Sequence, residues 1–136
     1  MDKRDNLLNK IKACGFPEKE VFVSVAEFFD GNDDDGSIGC NIFPDPPSLN
    51  EFRDTLETIT KDSRTDIIYV RIADIEDGDW FYTDTVYIAG DYTLEEIEEK
   101  FAPLKPDEVY KGLIYSKPSN IPSLKDGSIG YSVWWD

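Results

Sequence analysis

Two helix-start signals constrain this chain more than any other feature. In Ser48-Leu49-Asn50-Glu51, and again in Thr93-Leu94-Glu95-Glu96, a hydroxyl residue is followed three positions later by glutamate. That spacing is a capping box: the hydroxyl accepts an orphan backbone N–H of the first turn, and the glutamate reaches back to the cap. Behind the first box, Leu49, Phe52, Leu56 and Ile59 form one apolar stripe and predict a helix over 48–62. Behind the second, Leu94, Ile97 and Phe101 line one side of a short helix that Pro103 and Pro106 close. Two amphipathic helices with fixed starts need a surface to cover.

The stretches around them supply it, because their apolar residues alternate with period two. Val21 to Phe29 reads as a strand, with Val21, Val23 and Val25 on one side. Asp66 to Ile75 places Ile68, Val70 and Ile72 on one face and Tyr69, Arg71 and Ala73 on the other. Glu76-Asp77-Gly78-Asp79 turns into a further strand, Phe81 to Ala89, which suggests an antiparallel hairpin. Gly130 to Asp136 is a last, strongly β-prone strand. Short strands are also expected at 36–43 and 112–116. An extra N-terminal helix over 5–14 is predicted by Leu7, Leu8, Ile11 and Cys14, with Asp5 as cap and Gly15 as left-handed terminator.

Leaving that first helix aside, the order is strand, helix, strand, strand, helix, strand. The expected class is α+β: an antiparallel sheet with two or three helices on one face, in ferredoxin-like (split βαβ) order. A chain of 136 residues, 40% hydrophobic, fits one domain over 1–136. Asp35-Gly36-Ser37-Ile38-Gly39 recurs as Asp126-Gly127-Ser128-Ile129-Gly130. Five residues of turn chemistry point to two similar turns entering neighbouring strands rather than to a duplication.

Charge narrows function. The net charge is −15, and residues 21–100, with five basic and 21 acidic side chains, carry all of the imbalance. Such a field repels phosphate backbones and anionic bilayers and speeds encounter with a basic partner. Nucleic-acid and membrane partners are therefore not expected. No apolar run approaches the ~20 residues that span a bilayer, and no signal-peptide core comes after the N-terminus, so a cytoplasmic location is expected. Cys14 and Cys40 are expected to be free thiols.

The acid is densest in Phe28-Phe29-Asp30-Gly31-Asn32-Asp33-Asp34-Asp35-Gly36-Ser37-Ile38-Gly39. An EF-hand with Gly36 at its sixth position needs acidic ligands at the first and twelfth, where Gly31 and Ile42 stand. The chain contains no histidine, which removes imidazole bases and the usual nucleophile triads. Gly36-Ser37-Ile38-Gly39 lacks the lysine and spacing of a phosphate loop, so no cofactor is expected. Asp77, Asp79 and Asp84 flank Trp80 and Tyr82, as in a sugar site, but an acidic chain makes such neighbours by chance.

A third surface is the far side of the sheet, where Tyr69, Arg71, Thr83, Thr85 and Tyr87 would share a face with one of Trp134 and Trp135. Such a face is adhesive if open. Residues 105–128 are the segment that would cover it.

The acidic run 28–41 resembles the signature of an uncharacterised family of small acidic bacterial proteins. Asp84-Thr85-Val86-Tyr87-Ile88, Ala102-Pro103-Leu104-Lys105-Pro106-Asp107-Glu108-Val109 and Tyr131-Ser132-Val133-Trp134-Trp135-Asp136 carry the same resemblance. By size, acidity and lack of catalytic motifs the chain is more loosely similar to immunity proteins of polymorphic toxins, which implies inhibition of a basic toxin domain. The expectation is a non-enzymatic protein-binding module for a basic protein partner. Asp30, Asp33, Asp34, Asp35, Asp77 and Asp79 would steer the encounter, and Trp80 or Tyr82 would anchor it. The alternative is a carboxylate-based divalent-cation or carbohydrate site.

Overall fold

A computed structural model describes residues 2–75, 80–115 and 121–136. Helix α1 (Lys3–Ala13) is capped by Asp2, whose carboxylate accepts the Asp5 N–H at 2.8 Å, so Asp5 is a first-turn acid and not the cap. Gly15 at φ +102° makes the left-handed exit expected of it.

Strand β1 is only Phe22–Ser24, and helix α2 (Val25–Phe29) replaces the rest of the expected strand. Ser24 and Glu27 form a third capping box: Ser24 Oγ accepts the Glu27 N–H, and the Glu27 carboxylate accepts the Ser24 N–H, both at 3.0 Å. Two satisfied first-turn groups outweigh the β propensity of the valines before them. The expected strand at 36–43 is instead a run of turns with a single parallel bridge, Ile38 to Thr83. Gly39, at φ +66°, breaks any ladder there, and a β-carbon on it would stand 2.5 Å from the Phe52 ring.

Helix α3 (Leu49–Lys61) has Ser48 as its N-cap, whose Oγ accepts the Glu51 N–H at 3.1 Å, one half of the expected capping box. Strands β2 (Thr65–Arg71) and β3 (Thr85–Gly90) form the expected hairpin, closed further out by an Asp74–Tyr82 bridge. Helix α4 (Leu94–Phe101) begins at Thr93 with both halves of its capping box made and runs into a 3-10 turn, Ala102–Leu104. Strand β4 is Glu108–Lys111, earlier than the expected 112–116, because Gly112 at φ +91° ends it. Strand β5 is Ile129–Trp134.

The five strands lie in the order β1-β2-β3-β5-β4, each neighbouring pair antiparallel. The class is α+β with helices packed against the sheet. After α1 the elements run β1-α2-α3-β2-β3-α4-β4-β5, one helix and one strand more than the expected order, and the pairing is not split: β1 pairs directly with β2, Val23 facing Val70. A single crossover helix would deliver the chain to a parallel position. Here α2 and α3 pack together as an out-and-back pair and return it beside β1.

Leu7, Ile11, Phe28, Phe52, Leu56, Ile97 and Phe101 of the helices meet Val23, Ile68, Val70, Val86, Ile88 and Val133 of the sheet in one core. Trp135 completes it, fully buried, with its Nε1–H donated to Leu104 O at 2.8 Å and its ring edge-on to Phe52. The far face is covered too: Phe22, Tyr87 and Ile121 form a second cluster with Ile67, Tyr69, Leu113 and Tyr115. The copies of the Asp-Gly-Ser-Ile-Gly run serve different environments, since Ile38 is buried in the core and Ile129 is an exposed strand start.

Candidate functional site at the acidic pole

The ends of β2 and β5 and the starts of β3 and β4 share one end of the sheet, and α2 delivers the acidic loop to it. Asp30, the C-cap of α2, pairs with Lys3 at 2.6 Å, both side chains well exposed. Asn32 accepts the Asp34 N–H at 2.9 Å and donates to Ser37 Oγ at 3.0 Å. Asp34 is turned inward, its carboxylate accepting the Gly36 N–H at 2.8 Å. Asp35 lies at the start of α3, 3.4 Å from the Leu49 N–H, where the helix dipole favours a carboxylate. Asp33 is exposed. Much of the loop's polarity thus maintains its own shape, leaving Asp30, Asp33 and Asp35 on the surface.

The loop is tied to the 80–84 segment by the Thr83 N–H, donated to Ser37 O at 2.9 Å. The structure therefore brings the Asp30–Asp35 loop and the segment holding Tyr82 to one end of the sheet. Asp77 and Asp79 fall outside the described residues. Trp80 is not presented at the surface: it is 7% exposed, sits in the main core, and meets Phe81 edge-on at 5.4 Å. An indole already buried in its own protein is not available as an anchor. Tyr82 is half-buried, and its phenol is pushed up to about 12 by burial and then by the neighbouring Cys40 thiol. Cys40 is exposed, Cys14 half-buried, and both are free.

Beside Tyr82 the polar network is structural in kind. Arg71 is held by Glu20 at 2.9 and 3.3 Å and by Asp84 at 3.0 Å, and it lies 3.8 Å over the Tyr115 ring. Asp84 also accepts from Thr85 Oγ1 at 2.9 Å. Among the described residues no three carboxylate or thiol groups come together as a metal site. At the opposite end of the sheet, Arg64, Asp66, Asp91 and Lys125 line an open cleft of about 460 Å³. There Arg64 is already committed to Glu96, at 2.6 Å, and to the Asp91 carbonyl.

The residue that sequence reasoning missed is Phe43. Its side chain is 90% exposed, the most exposed of the large apolar residues described. The loop that carries it is braced: Asn41 Nδ2 donates to Asp136 O at 3.1 Å, Lys105 Nζ donates to Asp45 O at 2.7 Å, and Ile42 packs on the core. Pro44, Pro46 and Pro47 stiffen the segment between Phe43 and α3. An aromatic ahead of three prolines in four residues was the available signal.

Residues 2–133 match the model of the family described as the Uncharacterized protein YfbO family. The chain belongs to that family. It is similar to a relative of the same description from Escherichia coli (strain K12), 24% identical over 115 residues that cover 84% of this chain and 81% of the relative. No solved structure matches. The family assignment spans the acidic loop, the Phe43 loop, strands β1 to β4 and β5 as far as Val133, leaving out Trp134, Trp135 and Asp136. Among the described residues of this YfbO-family chain, no helix is long and apolar enough to cross a membrane.

Proposed function

We propose that this YfbO-family protein is a non-enzymatic protein-binding module whose acidic pole engages a basic protein partner. The observation that carries the reading is Phe43, a 90% exposed aromatic on a loop that Asn41 braces to Asp136 and Lys105 braces through Asp45. Charge speeds encounter and orients it, while affinity comes from burying an aromatic in a pocket of the partner. Bracing matters because a side chain held in place loses little conformational freedom on binding. Phe43 takes the anchor role that the sequence assigned to Trp80 or Tyr82. Asp33 and Asp35 are the steering charges, with Asp30 muted by Lys3. The finer reading is an immunity-type inhibitor, in which the basic partner is a toxin domain and the acidic pole occludes its active site.

Capture on the immobilised protein from bacterial lysate, at low and at high salt, tests the proposal. Alongside wild type run Phe43→Ser and the double variant Asp33→Asn with Asp35→Asn. The expected result is a basic protein retained at low salt, released by salt, and lost or much reduced with either variant. Retention that neither variant changes overturns the assignment of the pole. For the finer reading, co-expression with a toxin gene adjacent to this one should restore growth, and no protection overturns it.

A further inference from the structure

We infer that the free edge of β4 accepts an extended, cationic segment of the partner as an added sixth strand. The inference rests on the acidic-pole reading for the sign of the partner's charge, and goes beyond it in naming how the backbone is recognised. Two hydrogen bonds fix the backbone directions. Trp135 N–H goes to Asp84 O at 2.9 Å, so odd-numbered residues of β5 turn toward β3 and even-numbered ones toward β4. Gly112 N–H accordingly goes to Gly130 O at 2.7 Å. With Glu108 opposite Trp134 and Tyr110 opposite Ser132, the residues of β4 that turn to β5 are the even ones. Val109 and Lys111 therefore present their N–H and C=O groups outward, where no strand lies among the described residues.

Unpaired edges invite strand addition, and proteins that limit it use short edge strands, charged side chains, prolines, bulges or a covering element. Strand β4 is four residues long with Glu108 and Lys111 charged, and at its start the Asp107 N–H goes to Trp134 O at 2.9 Å. No proline stands within it, its register with β5 is unbroken from Glu108 to Lys111, and Glu108, Tyr110 and Lys111 are exposed. The edge begins at the acidic pole. Asp107 accepts the Asp136 N–H at 2.6 Å, and Lys105 ties the strand's approach to the Phe43 loop. Asp45, Asp107, Glu108 and Asp136 outnumber Lys105 and Lys111 around it, which selects a basic occupant. A second copy of this chain, at −15, is repelled.

The probe is a ten-residue peptide of alternating lysine and valine, titrated at low salt into the ¹⁵N-labelled protein. A matched peptide N-methylated at every residue keeps the side-chain charge but donates no backbone hydrogen bond on either edge. Expected are slowed amide exchange at Val109 and Lys111 and binding weaker by about tenfold or more for the methylated peptide. Val109→Pro, which removes an outward N–H that β5 does not use, should abolish that difference. Equal binding of both peptides, with changes confined to residues 30–35, overturns strand addition and leaves the acidic-pole reading standing. Binding by neither peptide overturns the inference alone, since lysate capture tests the pole separately.

Discussion

Tyr87 lies across Gly130 so closely that a β-carbon on the glycine would stand 2.1 Å from the tyrosine hydroxyl. The two belong to adjacent strands and seal the middle of the sheet's second face. Gly130→Ala must push Tyr87 off its neighbours, a loss of about 2–3 kcal/mol. Gly127, with nothing within 4 Å but φ at +81°, should lose only about 1 kcal/mol on the same change. Urea melts of the two variants check the order, and equal losses would mean that Tyr87 repacks freely.

Glu27 should shape the acid limb of stability. Burial pushes its carboxyl up, but Lys10 and the Ser24 amide outweigh that and hold it below the ordinary glutamate range. A depressed carboxyl stabilises fully above its unfolded pKa and loses that contribution as pH falls through its folded value. The difference in Tm between wild type and Glu27→Gln should be largest near neutrality and shrink toward about pH 3. A difference that does not depend on pH would mean the carboxylate charge is not involved.

Tyr82 should ionise late. Its value of about 12 implies a phenolate absorbance step well above that of free tyrosine, removed by Tyr82→Phe. After burial, the neighbouring Cys40 sulfur is the next cause that holds the phenol up. Cys40→Ser should bring the step to lower pH, and burial should still keep it above 10. No change on removing the sulfur would place the two groups out of contact in solution.

Arg71 pins the cover over the second face by stacking on Tyr115 while neutralising Glu20 and Asp84. Its side chain is 16% exposed, so Arg71→Ala leaves two poorly solvated carboxylates and should cost about 2 kcal/mol, less than a fully buried pair would. Tyr115→Ala should instead cost less stability yet uncover Tyr69 and Tyr87, seen as increased binding of a hydrophobic dye. A silent Tyr115→Ala in that assay would mean Leu113 and Ile121 suffice as cover.

The parts of this fold that could be read from residues alone are those fixed locally. The Ser48 and Thr93 boxes predicted two helix starts to the residue, and the alternation around Val70 and Val86 predicted the hairpin. Ser24-Val25-Ala26-Glu27 carries the same kind of signal as those boxes. It lies inside a valine run, where alternation argues for strand, and only the observed hydrogen bonds decide between them. Pairing order was harder, because it depends on α2 existing as the first half of an out-and-back pair. The site divided in the same way. The acidic loop was visible as composition, but whether an aromatic faces water or the core is a tertiary fact: Trp80, expected at the surface, is buried, and Phe43, of which nothing was expected, is exposed.

The open edge of β4 beside Phe43 also has a colloidal consequence. At neutral pH a charge of −15 keeps copies apart, so neither the unpaired edge nor the bare ring meets its like. Near the isoelectric point of about 4.2 that repulsion vanishes. The same seam then becomes a place where molecules stack edge to edge, and the protein's acidity serves as its protection against precipitation.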